Sequence, residues 1–199
     1  MSSPPAQLRA RNLRTLAALG GLFLLPLLVS FWMYYATDWR PAAHVNHGEL
    51  LQPPRPVPRA QLAGIPDHLP AGELFSHRWS LVYIGTGNCD EACRHTLYVM
   101  RQTRLALNND MTRVDRVFLV TGDCCDRAFL SRLHGGLLVL DASGPPANTL
   151  LKAFPAQARA NSLFIVDPLG NVMMRYDARQ NPKGLLQDLQ KLLRLSHIG

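Results

Sequence analysis

Residues 15–35, TLAALGGLFLLPLLVSFWMYY, run for twenty-one positions without a charge. At about 1.5 Å rise per residue a helix of that length spans roughly 30 Å, the thickness of a bilayer's hydrocarbon core. Gly20, Gly21 and Pro26 would weaken a helix in water, but lipid tolerates them, and Trp32, Tyr34, Tyr35 and Trp39 suit the far membrane interface. Arg9, Arg11 and Arg14 precede the run and no acid precedes Asp38. Such an excess of positive charge keeps its own side of a span in the cytoplasm. A cleaved signal peptide is the competing reading; its apolar core is shorter, and no Ala-x-Ala site follows Tyr35. The expectation is a single-pass inner-membrane protein: residues 1–14 cytoplasmic, 15–35 the anchor, and everything beyond exported to the periplasm.

The exported part is long enough for one ordinary domain, and with 47% hydrophobic and 18% charged residues over the whole chain it can bury a core. The formal charge is +7, of which the three arginines before the anchor carry three. The remaining excess is spread without a basic block or interleaved aromatics, so the chain is not expected to bind nucleic acid. Residues 36–72 contain Pro41, Pro53, Pro54, Pro56, Pro58, Pro66 and Pro70. That density favours an extended, semi-rigid linker over a helix or a central strand, leaving 73–199 as the folded domain.

Within that domain two periods alternate. SLVYIG (80–85) and DRVFLVTG (115–122) read as buried strands, separated by a helical stretch from about Cys89 to Leu107. A short helix at 126–133, a strand at 137–141, a helix at 146–154 and a strand at 162–168 follow. NVMMRY (171–176) follows Leu169-Gly170 closely enough to be a hairpin return. Asn181-Pro182 is a cap and first-turn signal for a last helix with an apolar stripe at Leu185, Leu186, Leu189, Leu192 and Leu193. This order predicts an α/β domain with a central mixed sheet and helices on its faces.

Chemistry concentrates in IGTGNCDEACRH, residues 84–95. A strand runs into a glycine-containing turn, Asn88 is placed to cap, and Cys89 is expected to start a helix, where unpaired backbone N–H groups favour a thiolate. Cys89 and Cys93, four apart, would share one helix face, able to close a disulfide or to offer two thiolates to a soft ion such as Cu(I). Asp90 and Glu91 oppose thiolate formation and Arg94 and His95 assist it. Cys124 and Cys125 complete the cysteine set on the exported side, where disulfides persist; four so clustered are too few to staple a scaffold.

These residues resemble the Sco/SenC family, membrane-anchored thioredoxin-fold proteins that deliver copper or reducing equivalents to the copper site of cytochrome c oxidase subunit two. The resemblance covers about residues 45–195 and rests on HGELLQPPRPVP after the anchor, the Cys-x-x-x-Cys loop IGTGNCDEACR, VTGD at the second strand end, and FIVDPLGNV. It implies a thioredoxin-like domain, a Cys89–Cys93 redox or Cu(I)-binding pair, and oxidase subunits or assembly factors as partners. The family has proline after each cysteine, where this chain has Asp90 and Arg94. Its third copper ligand is a histidine about eight residues before the Asp-Pro, a spacing that falls here on Arg159 between Ala158 and Ala160; no histidine lies between His134 and His197.

Two other functions stay open at this level: a general periplasmic thiol–disulfide oxidoreductase, and a non-catalytic accessory subunit of the oxidase whose cysteines only staple the fold. Among the remaining histidines, His95 reads as a solvated helix residue, His44 and His47 as polar residues near the membrane, and His134 as a helix C-terminal residue beside the dipole's negative end. Asp167-Pro168-Leu169-Gly170 reads as a turn. Strands 80–85 and 115–121, joined by one helix, should be parallel neighbours, so Cys124 and Cys125 should lie within about 15 Å of the first pair. There they would serve as resolving thiols or as the missing copper ligand; the plainer alternative is that they cap the short helix as small residues.

Overall fold

The computed structural model describes residues 6–37, 46–58, 62, 64, 74–159, 161–196 and 198. It forms two compact units, 1–44 and 45–199. The first holds one helix, α1 (Ala6–Ala36), whose Ala10–Ala36 portion is long and apolar enough to cross a membrane and buries none of its surface. Pro26 sits inside it, and Thr37 Oγ1 donates to the Met33 carbonyl at its end. Trp39 and His44, expected near the membrane interface, and Pro41 of the expected linker lie outside the described residues.

The second unit is a six-stranded mixed sheet in the order β1-β6-β5-β2-β3-β4. Its strands are β1 (Glu49–Pro56), β2 (Trp79–Gly85), β3 (Val114–Val120), β4 (Leu137–Asp141), β5 (Ser162–Val166) and β6 (Asn171–Asp177). Its helices are α2 (Glu91–Ala106), α3 (Arg127–Leu133), α4 (Pro145–Leu151) and α5 (Pro182–Leu195). The central β2 runs parallel to β3 with Val82 opposite Val117, and antiparallel to β5 with Val82 opposite Phe164. Both its faces are covered, which is why it reads as a continuous apolar run while β6 alternates. Trp79, Leu81 and Tyr83 face the side on which Leu97 and Met100 of α2 and Leu185, Leu189 and Leu193 of α5 pack. Val82 and Ile84 face the opposite side, closed by Leu150 of α4 and by Phe154 and Phe75.

The last helix starts as its sequence signals imply. The Asn181 side chain accepts from the Gly184 N–H at 2.8 Å, and Pro182 occupies the first turn, where its missing N–H costs nothing. The β5–β6 hairpin is the expected turn: Asp167 accepts from the Leu169 and Asn171 N–H groups, and Gly170 takes a positive φ of 86°.

The linker reading of residues 36–72 is corrected at 49–56, which form β1 on the edge of the sheet, antiparallel to β6. Proline removes a backbone donor, but an edge strand needs only one side of its ladder. The register shifts between Leu50 and Arg55 across Pro53 and Pro54, and Leu51 is buried against the sheet. The start of this strand is tied down by Asp188 of α5, whose carboxylate accepts from the His47 and Gly48 N–H groups (2.7 and 3.0 Å) and from the Tyr176 hydroxyl. Burial, and then the adjacent Asp188 carboxylate, push the Tyr176 phenol far above its ordinary range, so it remains a donor.

His134 caps the C-terminal end of α3, its N–H donating to the Leu130 carbonyl, as expected. The side chain is not a surface cation on the dipole, however. It is buried edge-on to Phe129, with ring centroids 4.9 Å apart. Burial and then the Arg116 and Arg101 charges lower its pKa to about 4. Arg116 is itself buried, donating to the Gly135 carbonyl at 2.6 Å, so a neutral imidazole is what this neighbourhood accepts.

Two outcomes are expected for the full-length protein in detergent. Asp188→Ala leaves buried donors without a partner and should cost about 2–3 kcal/mol in denaturant unfolding, with hydrogen exchange fastest at residues 47–51. His134 takes up its proton near pH 6.5 when unfolded but only near pH 4 when folded, so its contribution is complete above about 6.5 and is lost as the pH falls towards 4. His134→Gln should remove about 1–2 kcal/mol of that acid-side loss, the full shift being discounted for screening by solvent; identical pH slopes for parent and variant would refute this.

Candidate functional site

The site forms where β2 and β3 end together. Thr121 N–H donates to the Gly85 carbonyl at 3.0 Å, so the loops carrying Cys89 and Cys124 leave the sheet side by side. Along the first loop, Cys89 N–H donates to the Gly87 carbonyl at 3.0 Å, a tight bend that places the cysteine before the helix. The helix begins at Glu91 and its cap is Asp90, whose carboxylate accepts the Cys93 N–H at 2.8 Å.

This corrects the expectation that Asn88 caps and Cys89 starts the helix. An aspartate one residue inside the bend can reach the N–H three positions on, and that bond sets the boundary. Cys89 and Cys93 therefore do not share a helix face: one lies in the loop and the other in the first turn, and a disulfide joins them with their Cα atoms 5.1 Å apart. Because Asp90 occupies the Cys93 N–H and brings its own charge, the helix terminus is a poorer thiolate stabiliser than the sequence suggested. Past Cys93 an apolar stripe runs into the core, with Leu97 and Met100 fully buried and Leu107 nearly so.

Arg94, expected to assist a thiolate, acts on the backbone instead. Its Nε donates to the Cys89 carbonyl at 3.2 Å, its Nη2 lies 3.5 Å from Asp126, and its guanidinium sits 4.8 Å from the Phe129 ring centroid. One side chain thus brackets the Cys89 turn against the start of α3. The ion pair is half exposed and worth well under about 1 kcal/mol; its effect is positional. His95 is exposed on α2, as expected, and His47 is exposed beside β1.

Cys124 and Cys125 follow β3 and are bonded to each other. They do not cap α3; Asp126 does, accepting from Phe129 N–H at 3.0 Å. The two cysteine loops touch. A Cβ added at Gly87 would lie 2.0 Å from the Asp123 carbonyl oxygen and 2.6 Å from the Cys124 Cα, so only glycine permits this approach. Gly87 and Cys89 are two residues apart, so the Cα atoms of Cys89 and Cys124 lie within about 11 Å, inside the expected separation. Cys125 is half-buried against the core cluster that contains Cys89 and Cys93, whereas Cys124 is exposed.

On another side the inner disulfide adjoins a cleft of about 590 Å³ lined by Tyr83, Asp90, Cys93, Asn148, Arg159 and Asn161. Burial, and then the Asp90 charge, raise the Tyr83 phenol to about 12, so it donates rather than titrates. Arg159 thus lies in the cleft, the position that the resemblance reserves for a histidine. Its guanidinium is held by the Leu151 and Phe154 carbonyls behind α4. A guanidinium has no lone pair to give a metal, and no group of three His, Cys, Asp or Glu with metal-site geometry occurs among the described residues. Reduced, Cys89 and Cys93 would supply two soft donors, enough for two-coordinate Cu(I) in transit. Asn148, on α4, and Asn161, in the turn before β5, are brought together only by the fold, so no sequence signal marked them.

No curated protein matches the sequence. Solved structures similar in fold include apo Sco1 from Thermus thermophilus in solution, at 21% identity and TM-score 0.59, covering 76% of this chain and 99% of that one. Copper-bound yeast Sco1 is similar at 15% identity and TM-score 0.60, covering 72% and 95%. BsSco, a member of the Sco family of cytochrome c oxidase assembly proteins in which a disulfide switch was identified, is similar at 15% identity and TM-score 0.54, covering 74% and 99%. The fold is therefore that of the Sco1/SenC proteins, as the sequence motifs implied. Residues 79–196, well over half of the chain, match the family model described as transmembrane-like, thioredoxin-like, C-terminal domain, and the chain belongs to that family.

Proposed function

We propose that this protein is a membrane-anchored, Sco-like thiol–disulfide exchange protein of cytochrome c oxidase biogenesis, with Cys89 and Cys93 as its exchanging pair and Cu(I) as a cargo the reduced pair can hold. The observation that carries the reading is the Cys89–Cys93 disulfide at the carboxyl end of β2 beside a polar cleft. The Sco/SenC-like motifs of the sequence, the Sco-like fold and the copper-bound and disulfide-switching members among its structural neighbours support the oxidase context. In the exchange a partner thiolate attacks one sulfur of the pair, the S–S bond breaks, and the other cysteine leaves as a thiolate and takes up a proton. Tyr83 and Asn161 line the cleft as neutral polar groups that can hold a partner's backbone while this happens.

Thiol exchange is favoured over resident copper binding because Arg159 stands in the cleft where a third ligand would be needed. Copper handling is then limited to the two thiolates. The general oxidoreductase differs by exchanging with many unrelated substrates, and the accessory-subunit reading requires that the pair never open.

Two outcomes test this reading. Fully reduced protein under anaerobic conditions should bind one Cu(I), and Cys89→Ser and Cys93→Ser should each lose that binding and slow disulfide exchange by at least a hundredfold. If both variants exchange and bind as the parent does, these cysteines are not the site. Arg9, Arg11 and Arg14, at the start of α1 and ahead of the uncharged run 15–35, favour a cytoplasmic N-terminus and an exported domain, so alkaline phosphatase fused after Gly199 should be active; activity confined to a cytoplasmic reporter at the same position would reverse the topology.

A further inference from the structure

The inner pair is poorly reachable. Cys93 is 3% exposed and Cys89 9%, so the inner pair is covered on the side of the Cys124 loop and meets a partner through the cleft that Cys93 lines. Cys124, whose loop is packed directly on the Gly87 bend, is exposed. Cys125 bridges the two environments, half-buried against the cluster that holds Cys89 and Cys93. Arg94 keeps the two loops together, bonded to the Cys89 carbonyl on one side and paired with Asp126, immediately after Cys125, on the other. Two adjacent cysteines at the surface beside two cysteines beneath it form an ordered path.

We propose that Cys124 and Cys125 are an outer redox pair that receives electrons from a protein dithiol and passes them to the inner Cys89–Cys93 pair. The inference rests on the inner pair being the exchanging one. The donor dithiol first reduces the Cys124–Cys125 disulfide and leaves as its own disulfide, having given up two electrons and two protons. The Cys124 thiolate then attacks the Cys89 sulfur: a Cys124–Cys89 bond forms, the Cys89–Cys93 bond breaks, and Cys93 departs as a thiolate that is protonated. The Cys125 thiolate attacks the Cys124 sulfur, restoring the outer disulfide and releasing Cys89 as the second thiol. Two electrons have moved inward and the outer pair is ready for another donor. The mixed disulfide needs Cα atoms about 4.4–6.8 Å apart, a closure of a few ångströms between loops that already touch. The inner pair faces the cleft through Cys93, whereas neither Cys124 nor Cys125 lines it.

The test uses oxidised full-length protein in detergent, with reduced thioredoxin as a donor too large to enter the loop. Thiols are alkylated at successive times and mapped by mass spectrometry. Label is expected on Cys124 and Cys125 first and on Cys89 and Cys93 afterwards. In Cys124→Ser/Cys125→Ser, reduction of the inner disulfide by thioredoxin should slow at least tenfold, while a small phosphine reduces it as fast as in the parent. An unchanged thioredoxin rate overturns the relay. A second variant, Cys93→Ser/Cys125→Ser, leaves only Cys89 and Cys124, which should form an intramolecular disulfide under mild oxidation; two persistently free thiols overturn the relay even if the first variant folds poorly. Loss of the relay with Cys89-dependent exchange intact refutes this inference alone, whereas exchange that survives Cys89→Ser in the Cys124→Ser/Cys125→Ser background refutes the function on which it rests.

Discussion

The parallel pairing of β2 with β3 is the constraint from which the site follows. Parallel neighbours end on the same edge, and the connection between them must cross back over the sheet, here through α2. Two loops separated by more than thirty residues of sequence are thereby delivered next to each other, Gly85 carbonyl to Thr121 N–H. Every later contact between the cysteine segments exploits that placement. The covering of both faces of β2 makes it rigid: its side chains are buried from Trp79 to Ile84, so the bend at Gly87 starts from a fixed strand end.

Local chemistry then sorts four cysteines into two environments. Asp90 takes the helix cap and, by reaching the Cys93 N–H, sets Cys89 outside the helix and Cys93 within its first turn. Gly87 lets the second loop come within contact distance of the first, and Arg94 spans both. The result places a buried disulfide under a surface pair. The acidic cap also lowers the advantage a helix terminus would give to a thiolate, which favours a disulfide resting state for the inner pair over a free metal-binding thiolate.

Arg159 marks the divergence from a three-ligand copper site. It occupies the cleft beside Cys93, yet its guanidinium is spent on two backbone carbonyls at the end of α4. A cation bonded to the scaffold helps to shape the cleft wall, and its charge opposes the approach of Cu(I). The fold is shared with the Sco1 structures, and an arginine stands at the position that the sequence resemblance reserves for a histidine.

Much of this was legible in the residue order because it depends on short-range patterns. The uncharged run at 15–35 implies a membrane-spanning helix by length, alternating periods mark five of the six strands, and Asn181-Pro182 announces α5 through a local hydrogen bond. Cys-x-x-x-Cys after a strand identified the pair whatever its exact place on the helix. What the order of residues left open was decided by partners far along the chain. β1 is a strand because β6 offers an edge and Asp188 holds its start, although its prolines read as linker. His134 ends α3 as its place in the sequence implied, but burial and the Arg116 charge, which the sequence does not show, keep it neutral. Cys89 lies outside the helix because Asp90 outcompeted Asn88 for the cap, a contest between neighbours that composition does not rank. The exposure of Cys124 and the burial of Cys93 exist only in the folded state: burial is a property of what packs around a residue, and that is supplied by tertiary structure.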